Sequence, residues 1–327
     1  MFHAHKESRT DVQFHLAALR GDCDRLRQLL DTGKVHIDSR DRDGTTPLIL
    51  AAAMGHTDCV RELLAQGADP ACCRTTGTSA LFFAAQGGFL DIARLLLDAG
   101  AAIDAPSSDG GTPLFVACQC GHLPVVDELI SRGANVNSCM KDKATPLFIA
   151  AQNGHDNVCA ALVRGGADLT AARCDRASPL WIAAQCGHHR VARTLLRAGA
   201  HVDQLRQVRR VGRGFTELYT DLALCSQDGA TPLFKAAHKG HAAVVAELLK
   251  YNPELGLLPN GQSALHGAAM FGALSCVRVL APAADRSLRN AAGHTALQAA
   301  AAARRPRVVA YLRALDQRDD TTYSTEQ

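Results

Sequence analysis

An all-α solenoid of stacked helix-turn-helix units is the fold class that the sequence predicts, on three observations. Thr46-Pro47-Leu48, Ser79-Ala80-Leu81, Thr112-Pro113-Leu114, Thr145-Pro146-Leu147 and Ser178-Pro179-Leu180 each begin 33 residues after the one before. Self-similarity at that period marks a stacked-repeat architecture. Each triplet opens two short apolar stretches with helical spacing. The chain is 47% hydrophobic but only 5% aromatic, which suits thin, closely packed helices rich in Ala and Leu.

One unit, Asp109 to Lys141, justifies the elements in order. Thr112 is placed to cap a helix N-terminus, and Pro113 suits the first helical position, where a missing N–H costs nothing. Leu114, Val116, Ala117 and Cys118 make a short apolar helix that Gly121 ends in the left-handed conformation. Val125, Val126, Leu129 and Ile130 repeat at helical spacing and predict a second helix, which Gly133-Ala134 stops. From Asn135 the chain becomes an extended arm. Arms turn at Asp-Gly in several units, as at Asp43-Gly44 and Asp109-Gly110.

Along the chain, residues 1–10 are polar and read as a flexible N-terminus. The His3-x-His5 pair there is better read as part of a tail than as a metal site. Residues 11–42 form a degenerate first unit that keeps Leu16-Ala17-Ala18 and Leu26, Leu29, Leu30; terminal units face water on one side and depart from the pattern. Regular units start at Asp43, Thr76, Asp109, Asp142 and Asp175, then at Asp228, Asn260 and Ala291. The offset from Ser178 to Thr231 is 53 rather than 33, so a loop insertion lies near 208–227. The final helix is expected at about Arg307 to Leu315, with a disordered tail over 316–327. A single repeat domain of about nine units, caps included, thus spans 11–315. Arg206, Arg209, Arg210 and Arg213 make the start of the insertion basic. Three readings of it stand: a recognition loop or import signal, a loop with no partner, or a product of splicing, since Gln207-Val208-Arg209 can be encoded by a string like a splice donor.

The recurring T-P-L helix, the Gly-His link and the V-V-x-x-L-L helix resemble the ankyrin repeat, over roughly residues 11–315. The resemblance implies a non-enzymatic protein-binding scaffold or adaptor that uses its arm tips and the exposed side of its first helices. An adaptor that recruits substrates to a larger complex such as a ubiquitin ligase is the alternative; an enzyme with a site at the insertion is a remote one. It also implies a candidate hydroxylation at Asn137, eight residues after Leu129, although Asn135 stands where that pattern usually has an acidic residue. The competing reading of Asn137 is a turn-stabilising side chain.

The formal charge of +3 argues against general nucleic-acid binding, which wants a concentrated basic face. Met1 to Gln13 holds no apolar run, and no stretch approaches the ~18 apolar residues of a membrane span. The expectation is a monomer without membrane or nucleic-acid partners, cytoplasmic, with a nuclear location as the further option. Several of the 12 cysteines recur at equivalent helical places, such as Cys120 and Cys186 or Cys59 and Cys276, which reads as buried free thiols in a reducing compartment.

No catalytic, cofactor or metal site is expected. Candidate nucleophiles and bases are spread by the repeat period instead of converging on one pocket. His56, His122, His155, His188 and His241 follow the helix-ending glycines, but equivalent residues in stacked units lie roughly 8–10 Å apart, too far to share a zinc ion. They are read as caps of the second helices. The candidate partner-binding residues are instead Gln86, Gln119, Gln152 and Gln185, one per first helix in four consecutive units, whose amides both donate and accept. Phe82, Phe115, Phe148, Trp181 and Phe234 form a neighbouring aromatic column, read mainly as packing between units, with Trp181 as its best candidate for partial exposure. It stands where the family pattern has His, so a loss of arm hydrogen bonds is expected. At the tips Asp109, Lys141, Asp142 and Arg176, with Lys239 on a later first helix, carry mixed charge, which favours a protein partner.

Overall fold

The computed structural model describes residues 9–203, 230–259 and 261–323. Among them lie eighteen α-helices in nine consecutive pairs. The first helices are α1 (Arg9–Arg20), α3 (Pro47–Met54), α5 (Ala80–Gly87), α7 (Pro113–Cys120), α9 (Pro146–Asn153), α11 (Pro179–Cys186), α13 (Pro232–Lys239), α15 (Ala264–Phe271) and α17 (Ala296–Ala302). The second helices are α2 (Cys23–Asp31), α4 (Thr57–Ala65), α6 (Leu90–Asp98), α8 (Leu123–Ser131), α10 (Asp156–Arg164), α12 (His189–Arg197), α14 (Ala242–Leu249), α16 (Leu274–Leu280) and α18 (Pro306–Tyr323). They fall into two compact units. The first takes the described residues up to Ala150 with Ala160–Ala167, and the second takes Ala151–Cys159 with those from Asp168 onward.

The helices begin and end where their residue types require. Thr112 Oγ1 accepts the Phe115 N–H at 3.2 Å, Pro113 follows at the first helical position, and Gly121 closes α7 at φ 80°. Thr46, Ser178 and Thr231 cap α3, α11 and α13 in the same way. In the first unit α1, α3, α5 and α7 pack in sequence, as do α2, α4, α6 and α8. Leu48, Leu81 and Leu114 fill the space between first helices, while Leu63, Leu96 and Leu129 fill that between second helices; all six are buried. The second unit repeats the arrangement from α11 to α18, with Leu180, Leu233 and Leu265 and with Leu195, Leu248 and Leu280. Burial of each such leucine contributes about 1.5–3 kcal/mol.

Four of the recurring histidines do not cap the second helices. His56, His122, His188 and His241 occupy the N-cap positions, but none makes a side-chain cap bond. Each ring instead reaches back to the preceding repeat. In the first unit the Nε2–H of His56 donates to the Leu19 carbonyl at 3.0 Å and that of His122 to the Gln86 carbonyl at 2.9 Å. In the second unit His188 donates to Gln152 and His241 to Gln185, both at 3.0 Å. A carbonyl can only accept, so these rings carry hydrogen on Nε2. The rings lie on the helix-ending glycines: a Cβ at Gly88 would stand 2.6 Å from His122 Nδ1. With φ near +74° there, glycine is required twice over.

Arm tips are linked by backbone bonds. Thr75 N–H donates to Asp43 O at 2.8 Å, Ser108 to Thr76 at 2.7 Å and Lys141 to Asp109 at 3.0 Å. The last helix differs from the sequence reading. It was expected to end near Leu315, yet α18 continues to Tyr323. The sequence after Leu315 is polar, and a terminal second helix needs an apolar face only toward α16, so polarity there does not end it. The 208–227 insertion, His3, His5 and Asp228 lie outside the described residues.

Candidate functional site

In the first unit, α5 and α7 pack side by side and present Gln86 and Gln119, both exposed, one residue after the buried pairs Ala84-Ala85 and Ala117-Cys118. Small residues on the buried side bring the helices close, and both glutamines lie on the solvent side. In the second unit Gln152 and Gln185 are half-buried, and the backbone carbonyl of each holds the histidine of the next repeat. Lys239 is exposed at the end of α13. All four glutamine side chains lie at the surface of first helices.

The tips separate into scaffold and surface. Asp142 is exposed, but its carboxylate accepts the Ala144 N–H at 3.0 Å and so holds its own turn. Asp175 does the same for Ala177 at 3.1 Å and also pairs with Arg173 at 2.6 Å. Asp109 and Lys141 are exposed. Lys143 and Arg176 stand out by conformation. Both are exposed, and their φ angles are 66° and 61°, where Gly44, Gly77, Gly110, Gly261 and Gly293 occupy the equivalent turns. A side chain in that region costs roughly 1–2 kcal/mol.

Trp181 is a correction. It is 2% exposed and offers no anchor to a partner. Its Nε1–H donates to the Ala230 carbonyl at 3.1 Å, and Lys235 Nζ lies 5.4 Å from the ring centre. The first helix of the next repeat, α13, covers the indole. The expected loss of the histidine hydrogen bond is corrected at Trp181, whereas Phe82, Phe115, Phe148 and Phe234 carry no donor. His266 donates to His294 O at 3.0 Å, and His15 Nε2 lies 3.1 Å from Thr45 O with its Nδ1 2.8 Å from Asp11 O. Thr45, Ala230 and His294 each precede a capping threonine, so Trp181 makes the bond that His266 makes. Phe115, Phe148 and Phe234 are buried as packing residues, and Phe82 is half-buried against Phe83.

Asn137 is exposed; its Nδ2–H donates to Gly166 O at 3.3 Å, and its backbone N–H donates to Asn135 Oδ1 at 3.0 Å. It therefore ties its arm to the following one. Among the cysteines, Cys159 and Cys276 are buried and pushed up by that burial to about 12 and about 11. Cys120 is exposed and Cys186 half-buried, contrary to the reading of both as core thiols, because each stands after the last buried turn of its helix. Among the described residues no group of three or more His, Cys, Asp or Glu is placed to hold a metal ion, and no helix is long and apolar enough to cross a membrane.

A family model described as ankyrin repeats (3 copies) matches residues 14–107, 64–140, 114–206, 213–290 and 257–323. The chain belongs to the ankyrin-repeat family. Among curated ankyrin-repeat relatives, Ankyrin repeat domain-containing protein 29 of Homo sapiens is 57% identical over 53 residues, 16% of this chain and 18% of that one. Ankyrin repeat domain-containing protein 49 of Homo sapiens is 52% identical over 44 residues, 14% of this chain and 18% of that one. DNA-binding protein RFXANK of Homo sapiens is 41% identical over 59 residues, 18% and 23% respectively. The matches therefore span less than a quarter of these relatives, which ties the likeness to the repeats. Ankyrin repeats generally mediate protein–protein interaction and are typically non-enzymatic.

The sequence reading missed the Arg–Glu pairs between second helices. Arg27 meets Glu62 at 2.8 Å and Arg94 meets Glu128 at 2.9 Å, while Arg132 bridges Glu128 and Asp98 at 3.0 and 2.7 Å. The Arg27 and Arg94 hydrogen bonds hold Glu62 and Glu128 below the usual carboxylate range. Their signal was available: Arg and Glu alternate at adjacent helix positions in successive repeats.

Proposed function

We propose that this ankyrin-repeat protein is a non-enzymatic adaptor that binds a protein partner through the first-helix face and arm tips of its central repeats. The observation that carries the reading is the pair of cationic tip residues, Lys143 and Arg176, held at positive φ where five equivalent turns use glycine. Strained residues at exposed positions are more often retained for contact than for stability. The glutamines supply donors and acceptors suited to the backbone of an extended segment, and Asp109, Lys141 and Lys239 add charge at the rim. A cytoplasmic setting and a monomeric state accompany this reading.

The test is affinity capture from cell lysate by the intact chain, beside a variant carrying Gln119→Glu, Gln152→Glu and Gln185→Glu, with circular dichroism on both. A protein held by the first and lost by the second supports the reading. Identical captures remove the first-helix face from it.

A further inference from the structure

The second helices of the two units carry opposite charge. In the first unit, α2, α4, α6 and α8 each hold two acidic residues. Asp24, Asp58 and Asp91 sit in first turns, where a carboxylate meets the positive end of the helix dipole. Helix stability alone accounts for them. In the second unit none of the equivalent positions on α12, α14, α16 and α18 is acidic, and two are cationic. Arg190 opens α12 and Arg307 opens α18, both exposed and both at the end where the dipole disfavours a cation. Arg197 and Arg278 add exposed charge on α12 and α16.

Little compensates them. The one carboxylate on α12, α14 and α16 is Glu247, which is buried between Arg193 at 3.3 Å and Lys250 at 2.8 Å. On α18 the first is Asp316, three turns in, and it pairs with Arg286 at 2.9 Å. Arg190, Arg197, Arg278 and Arg307 make no ion pair among the described residues; Arg278 lies over the Tyr311 ring at 5.8 Å. α12, α14, α16 and α18 pack in that order, and the ground between the arginines is small: Ala243, Ser275 and Ala310 are all exposed. The near-neutral charge of the whole chain conceals this surface.

We infer that the second-helix face of the second unit is a docking surface for an acidic segment of a partner protein, apart from the first-helix face. The arginines stand on α12, α16 and α18, with the small residues Ala243 and Ser275 between Arg190 and Arg307. That spacing fits carboxylates on a polypeptide that lies close against Ala243 and Ser275. A nucleic-acid backbone, with a charge about every 3.4 Å along each strand, calls for denser cations.

The test uses the full chain and fluorescent polyglutamate, read by anisotropy, with a single-stranded oligonucleotide as comparison. One variant carries Arg190→Glu, Arg278→Glu and Arg307→Glu. A second carries Arg190→Gln, Arg278→Gln and Arg307→Gln, and a charge-matched control carries Arg9→Glu, Arg20→Glu and Lys34→Glu, all exposed in the first repeat. The segment holding Arg206 to Arg213 is intact in all of them. The expected result is salt-sensitive polyglutamate binding that weakens about tenfold or more in the Glu variant and less in the Gln variant, while the control stays near wild type. Equal losses in the Glu variant and the control would reduce the effect to net charge and overturn the proposal. Tighter binding of the oligonucleotide than of polyglutamate would overturn it in favour of a nucleic acid. So would a salt-sensitive dimer in sedimentation that the Glu variant abolishes, since the occupant would then be a second copy. Matching thermal melts establish that the variants are folded.

Discussion

Trp181 Nε1–H donates to the carbonyl of Ala230 at 3.1 Å, across 49 residues of sequence. With His241 on Gln185, and with the Asp203 carboxylate on the Glu254 N–H at 3.1 Å, this bond joins two repeats as though nothing were inserted between them. Trp181→Ala is expected to destabilise the protein by about 3–5 kcal/mol through the cavity it leaves. Trp181→His keeps the donor but loses ring volume, and should cost clearly less. Denaturation midpoints of both variants decide it. Equal losses would mean that the bond adds nothing beyond packing. Excision of 208–227 should shift the midpoint by less than about 1 kcal/mol, since loop length enters only logarithmically.

His122 and Gly88 offer a double-mutant cycle. His122→Ala removes the bond to Gln86 and should cost about 1–2 kcal/mol. Gly88→Ala adds a Cβ 2.6 Å from the ring at φ 74°, and should cost about 2–4 kcal/mol through strain and overlap. Deleting the ring relieves the overlap, so the double variant should lose less than the sum. Strict additivity in urea denaturation would show that ring and glycine do not share one contact.

Much of this was legible in the sequence because the repeat period gives each position several independent readings. The Thr-Pro caps, the left-handed glycines and the apolar rows of both helices follow from residue type and spacing alone. The glutamine column could be placed on the first helices, and Gln86 and Gln119 are exposed as such a register requires. Trp181 was not legible, because an aromatic residue in a histidine column looks like a departure until its N–H is seen to reach the same carbonyl position. Nor were the histidine tethers, since a residue at an N-cap position is ordinarily read as a cap and only coordinates show its ring turned toward the previous repeat. The basic second-helix face was hidden by summation: acidic and basic units cancel in the net charge.

Arg176 and Lys143 test whether strain marks the binding tips. Arg176→Gly or Lys143→Gly relieves the left-handed strain but adds freedom to the unfolded chain. The net gain should be about 0.5–1 kcal/mol for each. Partner capture by the Arg176→Gly variant should fall as its melting temperature rises. A stabilised variant with undiminished capture would remove that tip from the binding surface.

His238 stands at the glutamine position of the next repeat, half-buried and in edge contact with Phe271 at 3.8 Å between ring centres. Burial first, then the charges of Lys235 and Lys239, push its pKa down to about 4 from the ordinary 6.5. The sign follows from linkage. Above the ordinary value the ring is neutral in both folded and unfolded chains, and its full contribution is present. As pH falls below it, the unfolded chain takes up the proton first, so stability declines until the folded ring protonates near 4. The total loss is at most about 3–4 kcal/mol, from roughly 1.4 kcal/mol per pKa unit. His266, also lowered by burial, adds a second slope of the same sign below the ordinary histidine value. Glu62, Glu128 and Glu247 have lowered values, so their loss comes only at more acid pH. The charge-neutral change His238→Gln matches the residue of the four preceding repeats. It should flatten the stability profile on the acid side of neutrality while leaving the His266 slope. Urea midpoints measured across that range for wild type and variant read it directly. Parallel profiles would mean that His238 takes up its proton as readily in the folded protein as in the unfolded chain.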